Sequence, residues 1–153
     1  MEPQDDTNAD VDKEEMPDLK VVVVLSGDLD ASTALNVVGH LSVCLGAFAD
    51  GRLMGRATLL DASGVSHRGV AQHPFITLKA KPSHVRKTVE LAREEPDLFL
   101  ADYPREMLTT ADDDELHDAL LEAQETDLEY LGCLLYGPAD VIDPMCRRFS
   151  LWR

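Results

Sequence analysis

Val21 to Leu25 is an unbroken apolar run, and four of its five residues are β-branched. It ends at Ser26-Gly27-Asp28 and passes into a long helical pattern that begins near Ala31. An apolar run bounded in this way fits a strand buried on both faces. The helix that follows must pack back onto the sheet, which puts the Gly27–Asp30 turn at the strand's carboxyl end. Open α/β sheets place their ligand crevices at that edge. The rest of the chain reads as support for this strand–turn–helix unit.

Unrolled as a helix, Ala31–Ala49 gathers Ala34, Val37, Val38, Leu41, Cys44, Leu45 and Phe48 into one broad stripe that should face the sheet. Asn36 and His40, four residues apart, are neighbours on its flank. Gly39, Ser42 and Gly46 occupy another side. Each interior glycine costs about 1 kcal/mol relative to alanine, a cost that a packing surface for another layer or a second subunit would explain.

Further along, Gly55–Leu60 reads as a strand and Asp61-Ala62-Ser63-Gly64 as a hairpin turn, with Val65–Gln72 returning as strand or loop. Phe75–Lys79 is a strand entered through Pro74. Ser83 caps a helix to about Glu95, supported by an Arg86–Glu90 pair and stopped by Pro96. Leu98–Ala101 is a short strand, Asp113–Gln124 a helix with acids in its first turn, and Leu128–Tyr136 the last long strand. Pro138–Asp143 leaves room for a turn or two before Pro144, and Arg148–Trp152 closes with a short strand. Alternating strands and helices define an α/β class with a mixed sheet covered on both faces.

At 153 residues the chain is one domain, 19–153, preceded by a disordered acidic tail over 1–18. The net charge of −15 is unevenly spread: −7 falls in residues 1–18, −9 in residues 112–129, and the remainder sums to +1. Acidic patches on a near-neutral body repel phosphate backbones, so nucleic acid is a poor default partner. Cys44, Cys133 and Cys146 show neither paired nor metal-ligand spacing, and an odd count without a signal peptide suits a reducing cytoplasm. No apolar run approaches ~18 residues, so no membrane span is expected.

Leu135-Tyr136-Gly137-Pro138-Ala139-Asp140-Val141-Ile142-Asp143 resembles the closing segment of type II peptidyl-tRNA hydrolases. The valine-rich first strand, Asp28-Leu29 and the long helix of small residues resemble their front end. With Asn36, His40-Leu41, Asp61-Ala62-Ser63-Gly64, His73-Pro74 and the stretch from Gly137 to Arg153, the chain more closely resembles an uncharacterised bacterial family that shares that fold. The likeness covers Leu19 to Arg153. It implies a three-layer α/β/α domain around a mixed sheet of about four strands plus a short hairpin, and a homodimer. Two departures matter. The hydrolases' lysine-bearing segment is replaced by Asp30-Ala31-Ser32-Thr33-Ala34-Leu35, which holds no base. Their Asp-Ala-Gly-Arg-Thr-Gln motif stands here as Asp102-Tyr103-Pro104-Arg105-Glu106-Met107, keeping only the Asp and the Arg. The missing cation argues against peptidyl-tRNA hydrolysis.

Asp28 either orients a ligand or bonds turn amides ahead of the helix. Asn36 and His40 need hydrogen-bond partners, supplied by a ligand or water in a crevice, or by backbone or a neighbouring subunit. Imidazole ionises near neutrality, so His40 could act as a general base. Asp61, His67 and His73 are metal-ligand types without a compact metal-binding spacing. No glycine loop cradles a phosphate and no cofactor motif is present. The candidate site is therefore His40 and Asp102 as catalytic residues and Asp28, Asn36 and Arg105 as ligand-binding residues, with no metal and no cofactor. It serves a dimeric domain that binds a small molecule or, alternatively, a small ester or amide hydrolase.

Overall fold

The computed structural model describes residues 18–49 and 51–153. The acidic tail lies outside the described residues, apart from Asp18. In chain order the elements are β1 (Leu19–Ser26), α1 (Ala31–Ala49), β2 (Thr58–Leu60), β3 (Ser66–Arg68), β4 (Phe75–Ala80), α2 (Pro82–Arg93), β5 (Phe99–Pro104), α3 (Glu106–Thr109), α4 (Asp113–Glu122), a single 3₁₀ turn (Glu125–Asp127), β6 (Tyr130–Pro138), α5 (Ala139–Cys146) and β7 (Ser150–Leu151).

β1 is the middle strand of a five-stranded mixed sheet ordered β5-β6-β1-β4-β7, parallel to β4 and antiparallel to β6. Val21 to Ser26 are all buried, as a strand hydrogen-bonded on both edges and covered on both faces requires. Strand alternation divides the core in two. Val21, Val23 and Leu25 point to the layer formed by α1, where Ala34, Val37, Leu41, Leu45 and Ala49 meet them. Val22 and Val24 point to the opposite layer, made by Val85, Val89 and Ala92 of α2 and by Ile142 and Cys146 of α5.

Several expectations need correction. The sheet has five strands rather than about four, because β7 adds a two-residue edge through Leu78–Leu151 and Lys79–Ser150 pairing. α2 starts one residue before Ser83: Pro82 occupies its first turn and Lys81 precedes it, the position where a missing N–H costs nothing. Arg86 does not pair with Glu90, which takes Lys87 at 3.4 Å; it reaches across to Glu125 at 3.2 Å. Pro144 does not stop the chain short of a helix but sits inside α5. The turn of α3 was not foreseen.

The stripe of α1 is narrower than its sequence suggests, since Cys44 and Phe48 are exposed and Val38 is half-buried. α1 carries no charged side chain over 19 residues. By length and mean hydropathy it is apolar enough to cross a membrane, although polar residues interrupt it and no unbroken apolar run reaches that length; 22% of the stretch is buried. β2 and β3 form a hairpin with both faces exposed, closed by Gly64 at φ +81° and by Asp61 Oδ1, which accepts from the Ser63 and Val65 amides at 2.8 and 3.0 Å.

Gly132 on β6 lies directly beneath Val37 of α1 and beside Leu25 of β1. A Cβ there would stand 2.8 Å from Leu25 Cδ2, 3.1 Å from Val24 O and 3.2 Å from Val37 Cγ1. Gly132→Ala should therefore overpack both the strand pair and the helix contact, lowering stability by about 1–3 kcal/mol in urea unfolding. An unchanged midpoint would show that this layer yields more freely than its packing indicates.

Candidate functional site

One flank of α1 presents Asn36, His40 and Cys44, four residues apart and therefore stacked along the same side of the helix. Opposite them stand Ala101 and Tyr103 of β5, and Met107, Leu108 and Leu116 close the far wall from α3 and α4. Together they enclose a cavity of about 560 Å³, within the range of small-molecule sites. Apolar residues make up half of the wall, and polar ones, Thr110, Asp112 and Asp113 among them, the other half. The Tyr103 hydroxyl donates to Asn36 Oδ1 at 3.1 Å, and its ring centroid lies 6.0 Å from that of His40. Tyr103 is 3% exposed, and burial pushes its phenol above the usual range.

Local sequence explains how these elements are aimed. Asp30, not Asp28, caps α1: its carboxylate accepts from the Thr33 amide and hydroxyl, both at 2.9 Å, and the amide bond holds it below its ordinary value. α4 is capped by Asp112, which accepts from the Glu115 amide at 2.9 Å while Glu115 reaches back to the Ala111 amide at 2.6 Å. The cavity mouth thus carries the acidic first turn of α4, with Asp112 and Asp113 in its lining.

The predicted residues fall into three places. Asn36 and His40 share the cavity, both with exposed side chains rather than buried ones. Asp102 contributes to the cavity wall between Ala101 and Tyr103, but its carboxylate is held by Arg93 at 3.0 Å, in the cluster around Tyr130. Alternation along β5 explains the separation: Tyr103 packs in the α1 layer, and the residue before it points to the other face. Asp28 and Arg105 lie at the strand-end rim. Asp28 accepts from the Ser26 hydroxyl at 2.5 Å and borders a shallower cleft of about 370 Å³ with Gly27 and Lys79–Pro82. Arg105 is engaged by both oxygens of Glu129, at 2.5 and 2.7 Å, so its guanidinium faces a carboxylate of the chain itself. Asp28, Asn36, His40 and Asp102 do not converge on one point. Among the described residues no three metal-ligand side chains gather; His67 bonds Asp61 at 3.2 Å, and His73 packs near Tyr136.

Sequence reasoning did not foresee the cluster behind β5. Arg93 donates to Asp102 at 3.0 Å, to Glu125 at 2.9 Å and to the Tyr130 hydroxyl at 2.7 Å, and Tyr130 donates to Glu125 at 2.8 Å. Arg86 and Arg93 lie over the Tyr130 ring at 5.1 and 5.5 Å. Arg86 also donates to the Leu128 carbonyl, tying the start of β6 to α2. Burial alone would lower the Arg93 guanidinium, but its bonds to Tyr130, Glu125 and Asp102 hold it well above its ordinary value. Every charge in the cluster has a partner, which marks a clamp rather than a reactive centre. The signal was absent from the sequence because the bonded partners lie 5 to 42 residues apart.

The clamp has a pH signature. Glu125 is held below its ordinary 4.5 by Tyr130 and Arg93, and Glu129 by Arg105. A folded value below the unfolded one gives stability that is complete above about 4.5 and lost as pH falls through the folded values. The urea midpoint should drop on acidification below that point, and Arg93→Met should lower stability at neutral pH while shrinking the acid-dependent part. An acid profile identical in Arg93→Met and wild type would remove the clamp from this account.

Residues 19–153 match the family model described as "Protein of unknown function (DUF2000)". A search among curated proteins found no match. Among solved structures, a protein of unknown function, Atu0240, from Agrobacterium tumefaciens strain C58 is similar with a TM-score of 0.79 and 22% identity, over 90% of this chain and 100% of that one. At that identity the likeness speaks to the fold alone.

Proposed function

We propose that this chain, which belongs to the DUF2000 family of unknown function, is a ligand-binding domain whose site is the cavity between α1, β5 and α4. The single observation that carries the reading is the meeting of Asn36, His40 and the Tyr103 hydroxyl at a cavity of about 560 Å³ whose lining is half apolar and half polar. The wall suits a small molecule with an apolar body and a hydrogen-bonding head. Asp112 and Asp113 at the mouth disfavour anions, so the head is neutral or an amine. The layered mixed sheet agrees with a type II peptidyl-tRNA hydrolase-like architecture. The base-free run Asp30–Leu35, the engaged Arg105 and the net charge of −15 weigh against tRNA as the ligand. Three free thiols fit a reducing compartment such as the cytoplasm.

The test is a thermal-shift screen of the full chain with neutral, amine-bearing and carboxylate-bearing fragments. A fragment at a hundred times its Kd adds about 2.7 kcal/mol, which for a domain of this size raises Tm on the order of 5–10 °C. Neutral or amine fragments should give such shifts, and His40→Ala and Tyr103→Phe should abolish them. Hits that persist in both variants, or are confined to carboxylates, overturn the assignment.

A second reading, a small ester or amide hydrolase with His40 as general base, is favoured by one observation: Cys44, an exposed free thiol, lies one turn from His40 in the same cavity. In it His40 takes the thiol proton as the sulfur attacks a carbonyl, the alcohol or amine leaves, and water releases the acyl group. Burial raises the thiols of the other two cysteines, Cys146 to about 11 and Cys133 further. Iodoacetamide should therefore modify Cys44 first in the folded protein, leaving Cys133 and Cys146 until urea unfolds the chain. If Cys44→Ser or His40→Ala leaves turnover of a simple ester unchanged, the hydrolase reading fails.

A further inference from the structure

We propose that a second cavity, at the end of the sheet away from the Gly27–Asp30 turn, binds a small planar aromatic carboxylate that carries an N–H donor. Its volume is about 530 Å³, close to that of the first. It lies where α1 ends, β1 and β5 begin and β6 finishes, and it shares no lining residue with the first. Phe48 stands one turn beyond Cys44 on α1, and Phe99 two residues before Ala101 on β5. The two cavities are therefore neighbours along one helix–strand seam, with about 12 Å of helix between His40 and Phe48.

Three aromatic rings make the body of the site. The Phe48 and Phe99 rings lie 4.4 Å apart at 31°, and Tyr136 is the strand partner of Phe99. Phe48 remains 55% exposed, and Phe99 and Tyr136 are half-buried, so the rings keep surface that a flat apolar body would cover. At Gly137 the wall is bare backbone. A Cβ there would stand 2.6 Å from Leu98 Cδ2 and 3.0 Å from Asp97 O.

One cation and one anion line this cavity without pairing with each other. Arg52 is held by its Nε, which donates to the Ala49 carbonyl at 3.1 Å, and its guanidinium lies 6.0 Å over the Phe48 ring. Its two terminal nitrogens make no hydrogen bond among the described residues, whereas Arg93 and Arg105 are engaged by carboxylates. A guanidinium fixed at one end and open at the other is a fork for a carboxylate. Asp97 also lines the cavity, and among the described residues it forms no ion pair. It accepts from a donor at the other end of the ligand. The acidic α4 does not repel such an anion, because it borders the first cavity and exposed charges are screened within about 8 Å.

The assignment does not rest on the ligand of the first cavity, and one experiment separates the two. An NMR titration of the isotope-labelled full chain with para-aminobenzoate should give a Kd on the order of 1 mM, with shifts centred on Phe48, Arg52 and residues 97–99. Para-aminobenzamide, which lacks the charge, should bind about tenfold more weakly, and benzoate, which lacks the amine, about threefold. Arg52 is exposed, so Arg52→Gln keeps the fold and should weaken para-aminobenzoate about tenfold, while His40→Ala should leave it unchanged. No titration at millimolar para-aminobenzoate, or equal affinity for either comparator, overturns the proposal. So do shifts that vanish in His40→Ala and survive in Arg52→Gln.

Discussion

The structure depends on β1 being hydrogen-bonded along both edges and sealed on both faces. From Val21 to Leu25 the strand holds no polar side chain; Lys20 near its start reaches Asp143, and Ser26 at its end bonds Asp28. Its two faces must each find a layer, which fixes α1 on one side and α2 with α5 on the other. Because α1 leaves β1 through a tight turn capped by Asp30, its rotation about its own axis is set at the first turn. That rotation decides which flank carries Asn36, His40 and Cys44 toward β5. The cavity is thus a consequence of how the central strand hands the chain to its helix.

Much of this was legible. The five-residue apolar run, the 3.6-residue stripe of α1 and the Asp61–Gly64 turn are local signals, and each became the element that its pattern implied. The pairing of Asn36 with His40 followed from helical spacing alone. What could not be read were facts of tertiary alternation. Asp102 and Tyr103 are adjacent in sequence, and only the pleat of β5 sends one toward Arg93 and the other toward Asn36. Cys44 belongs to the apolar stripe by angle, yet it lies beyond the part that the sheet covers and so becomes part of the cavity instead. Pro144 reads as a stop, but it sits six residues into α5, where the lost amide bond is outweighed by the burial of Ile142 and Cys146 on either side of it.

Charge is arranged with the same economy. The chain concentrates acids at α4 and in the stretch leading to β6, and it neutralises the inner ones with Arg86, Arg93 and Arg105. Glu125 and Glu129 are therefore structural anchors, whereas Asp113 stands at the cavity mouth where its field is felt by anything that enters. An acidic lip over an aromatic hydroxyl gives the cavity a negative potential at its entrance.

α1 joins these observations. Its sheet-facing line is ordinary core, its β5 flank is a polar-tipped cavity wall, and its outer line is uncharged and open. Were the outer line only solvent-facing, Leu35 and Val43 would gain nothing over lysine or glutamate, and Gly39 and Gly46 would each cost about 1 kcal/mol against alanine. Surface helices in an acidic protein ordinarily carry their share of charge on that line, as α4 does with Asp113, Asp114, Asp118 and Glu122. Two helices of one domain thus differ sharply: α4 carries five carboxylates, while α1 carries no charge and leaves Leu35 and Val43 exposed.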